Sequence, residues 1–413
     1  MRNLLLLLLL FVAACNGNCQ PAATAEAPQP VDPVTVTGAD RLMSSDGISM
    51  LDSLVEGRVR VAVVANQASL LACGTHLVDT LMRCGVRVVK IMSPEHGFRG
   101  NAEAGAAVAG GVDVQTGLPV VSLYGKNKKP TAAQLSDVDL VLFDLQDVGC
   151  RFYTYISTLH YVMEACAEAG IPLAVLDRPN PNGHYVDGPV LDTSRYRSFV
   201  GMHPVPVVYG MTIGEYAMMI NGEGWLKGGI KCNLTVFPMQ GYKRDSVGYV
   251  LPVAPSPNLQ NAHAIALYPS LCLFEGTNVS VGRGTDTPFE IIGAPRCSLR
   301  QFSFTPRAIP HVSDNPPFKG QTCHGLDLRE VEPPARFDNG WLHEMYPTTP
   351  HEEFFHKSNF IDQLAGSDKL RKQIVQGMDE EEIRRSWEPA LGQFKEIRSR
   401  YLLYPDGRPS QTR

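Results

Sequence analysis

The sequence predicts an α/β protein with a Rossmann-like parallel sheet domain and a second, smaller C-terminal α/β domain. Two observations predict this fold class. Short runs of β-branched and apolar residues alternate with segments of helical periodicity, as they do in βαβ units. The chain is also 413 residues long, which is more than one hydrophobic core usually supports.

The alternation is clearest in the first half of the chain. Strands are predicted over residues 59–65, 86–92, 138–143 and 171–176. Helices are predicted over residues 77–84 and 157–169, with Gly170 ending the second. Thr212 and Glu215 have the spacing of a capping box that opens another helix. Right-handed crossovers are expected to join the parallel strands.

The sequence pattern changes near residue 251, where Pro-rich loops replace the regular alternation of predicted strands and helices. We therefore assign the Rossmann-like domain to residues 41–253 and the C-terminal domain to residues 254–413. The end of the second domain, residues 379–401, predicts a charged amphipathic helix with a structural role.

The first residues have the pattern of a bacterial lipoprotein signal. A basic start precedes an apolar stretch too short to span a bilayer, and Val-Ala-Ala-Cys15 closes it. Residues 1–15 are then the signal segment, Cys15 is the lipidation site, and the Pro/Ala-rich residues 16–40 form a tether. The alternative is an ordinary secretory signal in which Cys15 has no role. The pattern predicts a periplasmic lipoprotein anchored in a membrane, with the outer membrane favoured.

Composition and missing motifs argue against several classes of protein. A formal net charge of -5 argues against nucleic acid as the main partner. Gly-x-Gly-x-x-Gly after the first strand and Gly-x4-Gly-Lys-Ser/Thr are both absent, so no nucleotide cofactor is expected. The ten cysteines include no Cys-x-x-Cys pair, and His351 and His356 do not have zinc-peptidase spacing, so no metal is expected. Disulfides and buried free thiols remain equally open for these cysteines.

Acidic residues follow three of the predicted strands. Glu95, beside His96, follows the second strand; Asp144 follows the third strand and Asp177 the fourth. Because ligands of parallel α/β sheets bind outside the carboxyl ends of the strands, these acids are candidates for one site. For any single acid, helix capping or a solvated loop position explains the pattern equally well.

A second group of polar motifs lies in the C-terminal domain. Glu275 ends an apolar run, and burial there would enable it to donate a proton near neutral pH. The glycine-rich segment at residues 282–286 fits a tight turn better than a phosphate-binding loop.

Six motifs together resemble one family. They are Ser93 to Gly100, Asp144 to Tyr155, Asp177 to Pro181, Tyr209 to Glu215, Pro255 to Asn258 and Phe274 to Asn278. In this order they resemble the exo-β-N-acetylmuramidases, long known as a domain of unknown function, over residues 47–404. The resemblance implies release of terminal N-acetylmuramic acid from the non-reducing end of peptidoglycan fragments, in a cleft between two domains. It also implies that Glu95 and Glu275 matter most.

Glycoside hydrolysis needs an acid for the leaving oxygen and usually a second carboxyl for the oxocarbenium-like centre. We assign Glu95 as general acid, with Glu275 competing for either role. Asp144 and Asp147 are candidates for the second carboxyl or for binding sugar hydroxyls. The substrate's own 2-acetamido group is an alternative nucleophile.

The other candidates would bind substrate. His96 and Arg99 would either tune Glu95 or contact the lactyl carboxylate of muramic acid. Arg151 is the alternative for that carboxylate, through a bidentate pair. Tyr153 and Tyr155 would form an aromatic wall, for which core packing is an equal explanation. The remaining assignments rest on motif membership: Asp177, Arg178, Asn180, Tyr209 and Asn258.

One position departs from the resemblance, and two other functions remain open. Val281 stands where many members of the family carry glutamate, which would weaken activity if that glutamate were catalytic. The first alternative function is a cell-wall sugar-binding lipoprotein without turnover. The second is an amidase or deacetylase acting on muropeptides, which would normally need a metal.

Overall fold

The central feature of the computed structural model is a seven-stranded sheet in the first part of the chain. The structure describes residues 35–44, 47–100, 110–245 and 249–406. The strands of this sheet are β1 Val61–Ala65, β2 Val88–Ser93, β3 Gly111–Val112, β4 Pro119–Ser122, β5 Leu140–Asp144, β6 Leu173–Leu176 and β7 Leu234–Phe237. Their spatial order is β3-β4-β2-β1-β5-β6-β7. All neighbours pair in parallel except β3 and β4.

A smaller antiparallel sheet follows in the C-terminal part. Its strands are β8 Ile291–Ala294, β9 Phe302–Phe304 and β10 Cys323–Asp327, in the order β8-β10-β9. The α/β class, with a parallel sheet domain and a smaller second domain, is confirmed. The four predicted strands correspond to β1, β2, β5 and β6, whereas β3, β4 and β7 were not predicted.

The described part of the chain contains twelve α-helices. They are α1 Gly38–Leu42, α2 Ile48–Glu56, α3 Leu77–Arg83, α4 Ala132–Leu135, α5 Tyr155–Ala169, α6 Ile213–Gly222, α7 Ala262–Leu271, α8 Gly340–Thr348, α9 His351–Phe354, α10 Phe360–Ala365, α11 Lys369–Val375 and α12 Glu380–Ser399. Two short 3₁₀ helices span Lys227–Gly229 and Cys272–Gly276. No helix in the described ranges has the length and apolarity needed to cross a bilayer.

Local signals in the sequence explain several helix ends. Gly170 ends α5 with a left-handed φ of 69°, as predicted. Thr212 and Glu215 make both hydrogen bonds of the predicted capping box at the start of α6. Asp379 opens α12 with a capping box of its own.

The two predicted domains share one hydrophobic core. The largest cluster of buried residues includes Val64 and Phe143 from the parallel sheet and Phe274, Phe354 and Trp387 from the C-terminal part. A continuous core resists relative motion of the two parts because separation would expose apolar surface. The walls of any cavity between them are therefore held by packing.

The beginning of the chain differs from the prediction in one respect. The signal segment, Cys15 and most of the predicted tether lie outside the described residues. However, Val36 pairs with Gln240, and Ala39 in α1 is fully buried. The folded body therefore includes the last residues of the range predicted as tether.

Candidate active site

A cavity of about 430 Å³ brings together side chains from both parts of the chain. Glu95 and His96 come from the turn after β2, and Thr154 directly precedes α5. Glu275 and Arg283 come from the C-terminal part. The two glutamates that the sequence singled out therefore line the same cavity.

The turn that carries Glu95 has a strained backbone. Gly97 N donates to Pro94 O at 3.1 Å, which closes a turn directly after β2. His96 adopts a φ of 72° in this turn, a left-handed conformation that costs energy for a residue with a side chain. Because the buried His96 is held in this conformation, the direction of the neighbouring Glu95 is fixed.

Thr154 and Tyr124 place hydroxyl groups near the Glu95 carboxylate. Thr154 Oγ1 donates to Glu95 Oε2 at 2.8 Å. Burial, reinforced by the nearby negative charge of Glu95, raises the pKa of the Tyr124 phenol. Beneath the turn, Tyr155 Oη accepts from Asn66 Nδ2 at 2.8 Å and lies 3.5 Å from the backbone oxygen of Glu95. Tyr155 therefore supports the turn from below instead of forming the cavity wall.

Aromatic rings form much of the wall. Tyr153 lines the cavity, and its hydroxyl donates to Pro255 O at 2.9 Å. Its ring packs edge-on against Tyr268, which also lines the cavity. Phe152, Phe199, Phe289 and Phe360 complete this wall. Aromatic faces suit the apolar C–H surfaces of a sugar ring.

Glu275 lies on the 3₁₀ helix that follows a proline-containing helix. Pro269 in α7 has no N–H, so it leaves the carbonyl of Ile265 without a helical partner. Asn182 Nδ2 donates to that carbonyl at 3.1 Å instead. The chain then tightens into the turn Cys272–Gly276, which presents Glu275 to the cavity.

Glu275 is ion-paired. Arg283 Nε donates to Glu275 Oε1 at 2.6 Å, and the guanidinium lies 5.1 Å from the centre of the Phe289 ring. Burial opposes the charge of Arg283, but the Glu275 carboxylate raises the pKa of the arginine overall. Val281, the position that departs from the resemblance, is buried in the core and is not part of the cavity wall.

Asp144 and Arg178 lie outside this cavity. Asp144 is fully buried at the end of β5, and both of its oxygens accept from Arg178, at 2.6 and 2.9 Å. Arg178 also donates to Leu70 O. A bidentate buried pair with a backbone contact joins three segments of the sheet edge. Both residues hold the sheet edge together, and neither lines the cavity for which Asp144 was predicted as second carboxyl or sugar ligand and Arg178 as sugar ligand.

Asp147 and Tyr209 form a second buried pair behind the wall. The Tyr209 hydroxyl donates to Asp147 Oδ2, which also accepts from Gly149 N at 2.7 Å. Burial raises the pKa of Asp147 to about 6. Neither side chain lines the cavity, so the structure does not place them against a bound sugar.

Asp177 and Asn180 hold neighbouring segments together. Asp177 accepts from Gly214 N at 2.8 Å and from the hydroxyls of Thr212 and Tyr404, and burial raises its pKa to about 7. Asn180 Nδ2 donates to Met211 O at 2.8 Å. Both residues fix the start of α6 on the sheet, away from the cavity.

The two arginines predicted to bind a lactyl carboxylate are engaged elsewhere. Arg99 makes a bidentate pair with Asp113, at 3.0 and 2.9 Å, and lines a different cavity. Arg151 is fully buried, and its terminal nitrogens donate to Pro189 O, Val205 O and Leu364 O, each at 2.7 Å. Burial lowers the pKa of Arg151 to about 10.

Asn258 supports the cavity rim indirectly. It is buried, and its Nδ2 donates to the backbone oxygen of Val312 at 3.0 Å. Val312 lines the cavity, and so do Ser256 and Leu259, which lie on either side of Asn258 in the sequence. Asn258 therefore joins two rim segments, which differs from the direct sugar contact that the motif suggested.

Among the cavity residues that the sequence did not predict, Tyr124, Thr154 and Arg283 lie beside the two glutamates. Tyr124 follows the unpredicted strand β4, so no strand-end pattern marked it. Thr154 lies inside a recognised motif but carries no charge. Arg283 belongs to the segment interpreted as a tight turn, and that interpretation gave its side chain no partner.

One cysteine contacts a cavity residue: Cys272 Sγ donates to Glu275 Oε2 at 3.5 Å. All eight cysteines within the described ranges are free. Across these ranges there is also no group of three or more His, Cys, Asp and Glu side chains suited to hold a metal ion.

An α/β fold with two glutamates and aromatic walls in one cavity defines the class of the site, which is typical of carbohydrate-processing enzymes that use carboxyl groups. The chain belongs to the exo-β-N-acetylmuramidase NamZ family. The N-terminal family model matches residues 61–263 and the C-terminal model matches residues 266–404.

Relatives cover nearly the same length. The peptidoglycan β-N-acetylmuramidase NamZ of Bacillus subtilis (strain 168) is 40% identical over 376 residues, which is 84% of this chain and 87% of the relative. A crystal structure of a DUF1343 family protein from Bacteroides fragilis NCTC 9343 has a TM-score of 0.80 at 40% identity, covering 91% of this chain and 100% of that one. A second such protein from the same organism has a TM-score of 0.75 at 29% identity, covering 90% and 99%.

Proposed function

We infer that this protein is an exo-acting β-N-acetylmuramidase. It is a glycoside hydrolase that releases terminal N-acetylmuramic acid from the non-reducing end of peptidoglycan fragments during cell-wall turnover. Membership of the family supports the activity. The observation that carries the inference is the presence of Glu95 and Glu275, from two distant segments, in one aromatic-walled cavity.

The partners of the two glutamates support different roles. A hydroxyl group both donates and accepts hydrogen bonds, so Glu95 keeps its contacts with Thr154 and Tyr124 when it carries a proton. The Arg283 guanidinium has only donors and a permanent positive charge, so it pairs most strongly with Glu275 when Glu275 is a carboxylate. Glu95 is therefore the general acid that protonates the leaving oxygen.

Glu275 then acts as a fixed negative charge. In this position its negative charge stabilises the oxocarbenium-like centre. Alternatively, it orients the 2-acetamido group of the substrate, whose oxygen then acts as the nucleophile. In either case, the two carboxyl groups act in different protonation states at the same time. Water enters after the leaving group departs, and Glu95 accepts its proton.

Hydrolysis of a chromogenic β-N-acetylmuramide tests this function. The wild-type protein is expected to release the chromophore from the muramide and not from the matching N-acetylglucosaminide. Glu95→Gln and Glu275→Gln are both expected to lose most of this activity while remaining folded. Binding of the sugar by a folded wild-type protein without hydrolysis would instead support a non-catalytic binding protein. Release of peptide or acetate from muropeptides that a chelator abolishes would support a metal-dependent amidase or deacetylase.

We further propose that the protein is a lipoprotein of the periplasm, anchored to the outer membrane through Cys15. The supporting observation is the leader pattern of the sequence, a basic start and an apolar stretch that ends at Val-Ala-Ala-Cys15. Labelled fatty acid is expected to enter the wild-type protein and not Cys15→Ser, which would leave the membrane fraction. Equal membrane association of the two proteins would contradict the anchor.

A further inference from the structure

The cavity contains few positive charges. Among the described residues that line it, the basic side chains are His96 and Arg283. Imidazole is charged only when protonated, whereas a guanidinium group carries its charge throughout the physiological range. The other candidate arginines are committed to Asp113, to Asp144 or to backbone carbonyls. Arg283 therefore supplies the permanent positive charge of this wall.

Arg283 also has unused hydrogen-bonding capacity. Its pair with Glu275 uses Nε, and 18% of its side chain is exposed at the cavity. The terminal nitrogens, with four N–H groups, have no partner among the described residues. A planar guanidinium accommodates a carboxylate with two parallel hydrogen bonds from such nitrogens. Arg283 is thus able to hold a second carboxylate while it stays paired with Glu275.

The backbone around Arg283 is rigid. Gly282 and Gly284 have φ values of 78° and 81°, which favour glycine. A Cβ atom at Gly282 would lie 2.6 Å from Ile291 Cγ1, and one at Gly284 would lie 2.5 Å from Pro316 Cγ. The two glycines therefore let the loop pack closely on both sides of Arg283. This packing and the contact with Phe289 preorganise the guanidinium group, which reduces the entropy lost on binding.

We propose that Arg283 is the carboxylate-binding residue of this cavity and recognises the lactyl carboxylate of N-acetylmuramic acid. The inference rests on the proposed function and extends it from the reaction to the choice of sugar. N-Acetylglucosamine lacks the lactyl group, so it cannot make this contact. The group that distinguishes the two sugars then binds beside Glu275, which couples recognition of the correct sugar to the catalytic carboxylate.

Ligand binding measured by calorimetry tests the proposal with three sugars: N-acetylmuramic acid, its lactyl methyl ester and N-acetylglucosamine. The wild-type protein is expected to bind the acid roughly 10- to 100-fold more tightly than the ester, because the ester has lost its charge. Arg283→Gln is expected to bind the acid and the ester equally, with its affinity for N-acetylglucosamine unchanged. Arg283→Lys keeps part of the preference.

Arg296→Gln is the matched control, since Arg296 is 63% exposed and pairs with Glu353 instead. It is expected to bind all three sugars as the wild type does. Equal binding of acid and ester by the wild type would overturn the proposal, and this comparison needs no variant to fold. A full preference retained in Arg283→Gln would also overturn it.

The two proposals fail in different ways. A wild-type protein that hydrolyses the muramide but binds acid and ester equally has the proposed function without this recognition. A protein that prefers the acid but hydrolyses nothing has the recognition site without the enzyme activity.

Discussion

Glu95 and Asp144 occupy similar places in the sequence but have different surroundings. Each follows an apolar run that forms a strand of the same parallel sheet. Asp144 is fully buried, and a permanent cation, Arg178, occupies both of its oxygens. Glu95 is partly exposed to the cavity and contacts hydroxyl groups. A strand-end acid paired with a buried cation serves the fold, whereas one beside hydroxyl groups in a cavity is able to exchange a proton.

The largest effect is expected when the cavity acid is removed. Glu95→Gln keeps the shape of the side chain but cannot donate a proton, so kcat should fall about 10²- to 10⁴-fold. Steady-state kinetics with the chromogenic muramide measure the loss. Glu344→Gln, a change at an exposed glutamate, is the control and should leave kcat unchanged. A Glu95→Gln enzyme with near wild-type kcat would mean that another group is the acid.

The buried acid should affect stability instead of chemistry. Asp144→Ala leaves the Arg178 guanidinium buried without its partner, which should cost roughly 3–5 kcal/mol of unfolding free energy. Urea denaturation measures this loss. The double variant Asp144→Ala/Arg178→Met should recover part of it because no unpaired charge remains buried. Equal stability of Asp144→Ala and the wild type would show that the ion pair is not structural.

A smaller effect is expected from the hydroxyl partner of Glu95. Thr154→Val keeps the shape of the side chain but removes the 2.8 Å hydrogen bond to Glu95 Oε2. We expect kcat to fall roughly tenfold, with KM little changed because the sugar-binding wall is intact. Thr154→Ser should retain most of the activity. If Thr154→Val and Thr154→Ser behaved alike, the hydroxyl group would have no part in positioning Glu95.

The smallest effect concerns Arg99, which the sequence placed at the site. The hydrogen bond from Arg99 lowers the pKa of Asp113 from 3.8 to about 2. A lowered pKa stabilises the fold above about pH 4, and this stabilisation is lost as the pH falls from about 4 to about 2. Because Arg99 is partly exposed, Arg99→Met should cost only about 1 kcal/mol. The unfolding free energies of Arg99→Met and the wild type are compared at about pH 7 and about pH 3, and their difference should be smaller at the lower pH. The kcat of the variant should be unchanged.

Much of the fold could be predicted because local signals agreed with the tertiary structure. Continuous apolar runs marked β1, β2, β5 and β6, and Gly170 ended α5 at the expected place. The strand β4 is only half-buried, and β3 has two exposed residues, so their hydrophobic patterns were weak. The domain boundary was predicted from a change in composition along the chain. Such a change gives no information on contacts between the two parts, which contribute to one core.

The site could be predicted only in part. Glu95, His96, Tyr153 and Glu275 line the cavity as their motifs suggested. A sequence pattern shows that an acid lies at the end of a strand. It does not show which cation, distant in the sequence, forms an ion pair with that acid. Arg178 neutralises Asp144 from 34 residues away, and three backbone carbonyls from distant segments accept from Arg151. Motif membership therefore marked residues that build the cavity as well as residues that line it.

The most direct test of this account compares Glu95→Gln with Asp144→Asn in one experiment. Hydrolysis of the chromogenic β-N-acetylmuramide and the midpoint of thermal unfolding are measured for both variants and the wild type. We predict that Glu95→Gln loses activity at an unchanged midpoint, and that Asp144→Asn loses stability while its folded fraction keeps the wild-type kcat. The reverse result, an inactive but fully stable Asp144→Asn beside an active Glu95→Gln, would contradict the account.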